Sequence, residues 1–269
     1  MFLACICSQA GGQTPSSSFS YFPHDVVFPP LLANHDEPRL SAQQEIGASI
    51  LKLGIGDMMD IMEYRNNDGK LRFGADVFVY ARSNTIRGTL LKIDAADGFF
   101  GIHFSYNDGS PLRLRFRIFH FSAHLVDGNY NEDTGTWDPN KTPIPFSRNY
   151  GEILGSYDWD FPGMTLKAYA GLSYAAVVKP AEIRPFATLA GFELRSIGAP
   201  NFYAAYNFTL LGVPEYVGSN TVEVGMRLGK WSDHGFRVYL NHFSGLDTFG
   251  QYYNVYRKLW SIGIALDFW

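Results

Sequence analysis

From residue 41 onward, apolar side chains recur at every second position, and the residues between them are charged or very small. Lys70 to Arg82 sets Leu71, Phe73, Ala75, Val77 and Val79 against Arg72, Asp76 and Arg82. Thr221 to Lys230 sets Val222, Val224, Met226 and Leu228 against Thr221, Glu223 and Arg227. Lys258 to Trp269 sets Trp260, Ile262, Ile264, Leu266 and Phe268 against Ser261, Gly263 and Asp267. A period of two means strands with two unlike faces. In a soluble sandwich the polar faces would look onto water. Here they carry opposed charges with Gly and Ala between them: Arg113, Arg115 and Arg117 on one strand, Glu193 and Arg195 on another, Glu223 and Arg227 on a third. That mixture suits a crowded barrel interior. The expectation is an all-β chain folded as a closed up-and-down antiparallel transmembrane β-barrel, its apolar faces turned to lipid.

Composition fits this reading. Of 269 residues, 18% are charged and 16% aromatic, low and high respectively for a soluble domain. No apolar run reaches eighteen residues, which excludes a spanning helix. A mean hydropathy of -0.10 is compatible with a barrel, which hides its apolar face in alternate positions. The formal charge of -4 argues against a nucleic-acid partner. A soluble sandwich or calycin-like barrel is the competing all-β fold.

Turn signals sit at Asn67-Asp68-Gly69, Asn107 to Ser110, Phe161-Pro162-Gly163, Gly198-Ala199-Pro200 and Ser232 to Gly235. Longer connections are expected between them, at residues 83–98, 126–146, 177–185, 212–220 and 246–256. Short and long connections alternate in outer-membrane barrels, whose periplasmic turns are short and outer loops long. About twelve strands fit; ten is the other even count, because residues 41–66 need two strands and show no clear turn. The expected organisation is a signal-peptide remnant at 1–10, an irregular periplasmic N-terminal arm at 11–40 and an outer-membrane barrel at 41–269. The apolar start closing on Ser8-Gln9-Ala10 suggests export in a Gram-negative bacterium, and the Gly-, Ser- and Pro-rich arm has no steady period.

The strand Leu112 to Leu125 carries the candidate chemistry. Leu112, Leu114, Phe116, Ile118, His120, Ser122 and His124 share one face, which begins apolar and so faces lipid. His120 and Ser122, two residues apart near the outer leaflet, bring an imidazole toward a hydroxyl. The imidazole can take the hydroxyl proton, and the oxygen can attack a lipid ester. A third, orienting group would come from Asp127, Glu132, Asp133 or Glu152, with His124 beside them. The plainer account is interfacial anchoring, since polar and aromatic side chains occupy the headgroup level. His242-Phe243-Ser244 repeats the pattern.

Arg113, Arg115 and Arg117 are expected to line the lumen, paired with interior acids such as Asp76 and Glu193. Left unpaired, they would make a narrow anion-preferring channel. No Cys/His metal spacing, P-loop or nucleophile elbow is present, so no cofactor is expected. The acids Asp127, Glu132, Asp133 and Asp138 offer at most a divalent-cation site in the 126–146 loop. The expected partners are membrane lipids and lipopolysaccharide.

Three segments resemble blocks of a bacterial domain-of-unknown-function family of predicted outer-membrane barrels. They are Pro23-His24-Asp25 through Pro38-Arg39, Arg115 through Asp127 with its His-x-Ser-x-His-Leu-x-Asp ending, and Phe249-Gly250-Gln251-Tyr252-Tyr253. The resemblance implies a fold and a compartment, and no activity. The His-x-Ser strand also resembles that of outer-membrane phospholipase A and lipid A deacylases, where Asn follows; here Ala123 stands. The ending Phe268-Trp269 resembles the signal read by the barrel-assembly machinery, with Phe268 on the apolar face and Trp269 one place beyond.

Overall fold

The computed structural model describes residues 17–86, 90–131, 133–139, 141–198 and 200–269. Twelve antiparallel strands form the wall: β1 (Leu40–Glu45), β2 (Ile50–Asn66), β3 (Gly69–Ile86), β4 (Leu90–Asn107), β5 (Leu112–Leu125), β6 (Phe146–Phe161), β7 (Met164–Lys179), β8 (Phe186–Ser196), β9 (Asn201–Gly212), β10 (Tyr216–Leu228), β11 (Gly235–Leu246) and β12 (Tyr256–Asp267). Each pairs with its sequence neighbours, and β12 returns to β1 through Leu266 opposite Leu40 and Ser261 opposite Glu45. The cylinder is closed, so nearly every backbone polar group finds a partner within the wall.

The wall is apolar outside and charged inside. Val77, Ile118, Ile153, Leu172, Val224 and Ile264 are exposed on the outer face, while Arg72, Asp76, Arg117, Glu193, Glu223 and Asp267 are buried within. A water-soluble barrel has the reverse arrangement. This one is a transmembrane barrel, and its exposed rings gather near the strand ends: Tyr106, Tyr157, Trp159, Phe161 and Phe202 at one end, Phe186, Tyr216, Tyr256 and Trp260 at the other.

The five turn signals fall between successive strands at one end of the cylinder, the turn end, Ala199 of the fourth lying outside the described residues. The missing turn within 41–66 is Ile46 to Ser49, with Gly47 at φ +82° in the left-handed region. The loop end differs from expectation in two places. Strands β3 and β4 continue to Ile86 and from Leu90, so residues 83–98 are mostly strand; likewise only 213–215 separate β9 from β10. The polar residues that suggest a loop are bonded across the hairpin, Asn84 Nδ2 donating to Asp94 Oδ2 at 3.0 Å and Ser83 Oγ to the Lys92 carbonyl at 3.1 Å. The other long connections are 126–145, 180–185 and 247–255.

The largest departure concerns the N-terminal arm. It is irregular, but it does not hang free in the periplasm. Ser18–Tyr21 adds a short strand beside the turn-end half of β2, pairing with Arg65–Met62. The chain then enters the lumen, where Val27, Phe28, Leu31, Leu32, Ala33, Asn34, Glu37 and Arg39 are buried. Its partners are side chains of many strands instead of one ladder, so it has no period to read. Residues 1–16, including the expected signal-peptide remnant, lie outside the described residues.

Interior rings are accommodated by a repeated device. Tyr239, Tyr203, Tyr169, Phe119 and Tyr80 each lie directly across from a glycine on the adjacent strand: Gly263, Gly225, Gly191, Gly101 and Gly54. A Cβ added at Gly263 would stand 2.3 Å from the Tyr239 ring, and one at Gly191 2.4 Å from the Tyr169 hydroxyl. The small residues of the polar faces are thus seats for large ones.

Candidate functional site

Two places combine chemically capable residues with a built environment: the lumen, and the loop-end exterior of β5.

In the lumen, the threaded segment is the centre of the charge network. Glu37 takes both Arg115 and Arg117, its Oε2 lying 3.0 Å from Arg115 Nη1 and 3.4 Å from Arg117 Nη1. Arg117 also reaches Glu152 Oε1 at 2.7 Å. The pairing of these arginines with Asp76 and Glu193 is therefore corrected. Asp76 bonds His103 Nδ1 at 2.8 Å, and His103 Nε2 lies 2.7 Å from Asp60. Glu193 accepts the Leu32 backbone N–H at 2.7 Å and pairs with Arg195. These acids, too deep for water, are taken by groups that a one-dimensional reading cannot see: a backbone amide of the threaded segment and a histidine on the neighbouring strand.

Arg39, at the end of the segment, donates to the carbonyls of Leu32 and Asn34 at 2.9 and 2.8 Å, and its Nη1 lies 3.6 Å from Glu223. Glu223 also holds Arg237 at 2.9 Å, and Asp267 holds Arg237 and Arg227 at 2.9 and 3.1 Å. Phe28 lies under the Arg115 guanidinium at 4.5 Å. Arg113 is half-buried at the turn end and pairs with Asp158. At the lumen mouth, burial opposes the charge on Asp25, yet Arg72 and Lys70 hold its carboxyl below the usual range.

On the exterior, His120, Ser122 and His124 share the outer face of β5; His120 and His124 are exposed and Ser122 half-buried. His120 Nδ1 lies 2.6 Å from Oδ1 of Asn149, directly opposite on β6. An amide oxygen only accepts, so His120 Nδ1 is the donor in this contact. No hydrogen bond joins Ser122 to His120 among the described residues. Of the expected orienting acids, Glu152 points inward to Arg117, Asp127 opens a short 3-10 turn and Asp133 is exposed in the long loop, none of them bonded to this pair, and Glu132 lies outside the described residues. Asn149 was hidden because a cross-strand partner follows from register across a twenty-residue loop. The second pattern has other contacts: Ser244 Oγ meets Tyr256 OH at 2.8 Å, and His242 packs on Trp260.

Among the described residues, no group of three His, Cys, Asp or Glu is placed to hold a metal ion, in the 126–145 loop or elsewhere.

No family model matches the chain, nor does any curated protein. Among solved structures, the β domain of the Bordetella autotransporter Brka is similar at a TM-score of 0.46 with 11% identity, over 84% of this chain and 94% of that one. OmpT, an outer membrane protein of Vibrio cholerae, is similar at 0.39 with 9% identity, over 93% and 96%.

Proposed function

We propose that the protein is an outer-membrane barrel held shut by its own N-terminal segment, with a structural or interaction role instead of a conducting one. The observation that carries this is Glu37, a residue of the threaded segment, clamped between Arg115 and Arg117 of the wall. Arginines that would attract anions through an open lumen are neutralised, and the segment occupies their side of the pore. An apolar belt around the closed cylinder suits lipid on all sides, with lipopolysaccharide at the loop end and insertion by the barrel-assembly machinery. Kinship with the unknown-function family is supported by where its blocks meet: the Pro23–Arg39 segment lies against Arg115 and Arg117, and Gln251 bonds the Ala123 carbonyl at 2.7 Å. Reconstituted in planar bilayers, the protein is expected to show no conductance steps. Steps whose ion selectivity shifts on Arg115→Gln would establish the anion channel instead.

A second reading is favoured by one contact, the bond between His120 and Asn149. It supplies the orienting partner that an outer-leaflet lipid ester hydrolase needs. Ser122 Oγ would attack the ester carbonyl as its proton passes to His120 Nε2; the imidazolium would return that proton to the leaving alcohol. Water would then release the fatty acid from the acyl-serine, with His120 again serving as base. The bound substrate would have to complete the Ser122–His120 contact. Phospholipid vesicles offered to the purified protein should yield free fatty acid, Ser122→Ala should abolish it, and Asn149→Ala should lower it at least tenfold. Absence of release from wild type removes this reading and leaves the first intact.

A further inference from the structure

At the turn end, where the threaded segment enters, a cavity of about 340 Å³ lies between the segment and the wall. Val26, Val27 and Pro29 of the segment form one side. The inward faces of β6 to β8 form another, with Asp158, Asp160, Thr165, Lys167 and Arg195. Arg113 of β5, Trp231 of the β10–β11 turn and Trp269 complete the lining with Asp25 and Ser232.

Most charges around this space are matched. Arg113 pairs with Asp158, Arg195 with Glu193, and Asp25 with Arg72 and Lys70. Lys167 is not matched. It is 2% exposed, and among the described residues no hydrogen bond or ion pair reaches its Nζ, which lies 5.9 Å from the Phe28 ring. The acids directly across from it, Asp158 on β6 and Glu193 on β8, are the ones that Arg113 and Arg195 hold. Of the other buried arginines and lysines described, only Arg148 lacks an ion pair, and it packs on the Tyr150 ring, outside this cavity. Asp160 is the second unmatched group. It is exposed, accepts the Thr165 hydroxyl at 2.8 Å and forms no ion pair. An ammonium withdrawn from water without a counter-charge is costly. Lys167, held over an open space, therefore points to an anionic group that arrives from outside the chain.

We propose that this cavity binds a small zwitterion of the amino-acid type, a free amino acid or short peptide, entering from the turn end. Its carboxylate meets Lys167 in the depth of the cavity, and its ammonium meets Asp160 at the exposed side. Because Asp158 stands directly opposite Lys167, Asp160 is the diagonal neighbour, roughly 7–8 Å away along the sheet. The two charges share one face without pairing with each other, so a ligand that carries both can join them by charge-assisted hydrogen bonds. A simple anion would answer Lys167 and be repelled by Asp160; a simple cation would meet the reverse. Val26, Val27, Pro29 and Trp269 offer an apolar surface to the ligand's side chain. The volume suffices, since a cavity of roughly 150 Å³ takes a benzene ring and small-molecule sites begin near 300 Å³. The site is separate from the His120 exterior and needs no conduction, so its failure would leave both functional readings standing.

The test is calorimetric titration of the full chain in detergent with L-alanine, L-leucine, L-phenylalanine and L-alanyl-L-alanine. At least one is expected to bind saturably, with one site per barrel. The N-acetyl derivative of that compound, which lacks the ammonium, and its amide, which lacks the carboxylate, should each bind at least tenfold more weakly. Lys167→Gln and Asp160→Asn should each weaken the parent compound at least tenfold. Heat-modifiable mobility on electrophoresis identifies variants that remain folded, and Asp160, being exposed, can be replaced without disturbing the interior. The proposal is overturned if none of the four compounds binds, if the N-acetyl or amide form binds as tightly as its parent, or if either folded variant binds unchanged.

Discussion

At the scale of single residues, the interior is specified by unequal partners. Glu37 has two arginines, neither exposed to water, so removing it leaves two buried cations short of a counter-charge. Glu37→Ala is expected to destabilise the barrel by about 3–5 kcal/mol, measured by urea unfolding in lipid vesicles, and Glu37→Gln by less. The rings seated on glycines make a second test. Gly263→Ala puts a methyl 2.3 Å from the Tyr239 ring and should cost about 1–3 kcal/mol. The penalty should shrink when Tyr239 is also cut back to Ala, because the clash is then gone. Which residues faced inward was legible from alternation alone: Arg72, Arg115, Arg117, Glu193, Glu223 and Arg227 all lie in the lumen. Their partners were not legible. Glu37 and Glu152 answer the arginines across 78 and 35 residues of chain, and Asn149 answers His120 across 29.

At the scale of elements, the strands are longer than a bilayer requires. β2, β3 and β4 run 17, 18 and 18 residues, against the roughly 9–11 that a tilted strand needs to span the hydrocarbon. Their surplus explains why residues 83–98 read as a loop. Beyond the lipid the outer face no longer has to be greasy, and polar residues there carry no message about where the strand ends. The central part of each strand is held to the apolar rule. Ile118, 49% exposed and mid-strand on β5, should therefore tolerate Arg poorly. Ile118→Arg is expected to cost about 2–4 kcal/mol of folding free energy in vesicles. The first two strands were the hardest to divide because their turn rests on Gly47 alone, without the Asn-Gly or Asp-Gly pairing seen at other hairpins.

At the scale of the whole molecule, the barrel and its filling form one chain folded onto itself. The cylinder could be inferred from periodicity, because a wall of strands repeats the same two-residue rule. The segment inside it obeys no rule of that kind: Phe28, Leu31 and Leu32 pack into two separate interior clusters, and Arg39 turns back on carbonyls of its own loop. Deleting residues 22–39 is expected to convert a silent barrel into a conducting one in planar bilayers. A deletion variant that still folds and remains silent would show that the wall side chains alone obstruct the passage.

The threaded segment runs without a break into β1, the strand whose two edges complete the ring between β12 and β2. Stopper and clasp are consecutive stretches of the same peptide. Whatever drags one out of register drags the other, so a pulled N-terminus would loosen the wall at its own seam before it emptied the bore.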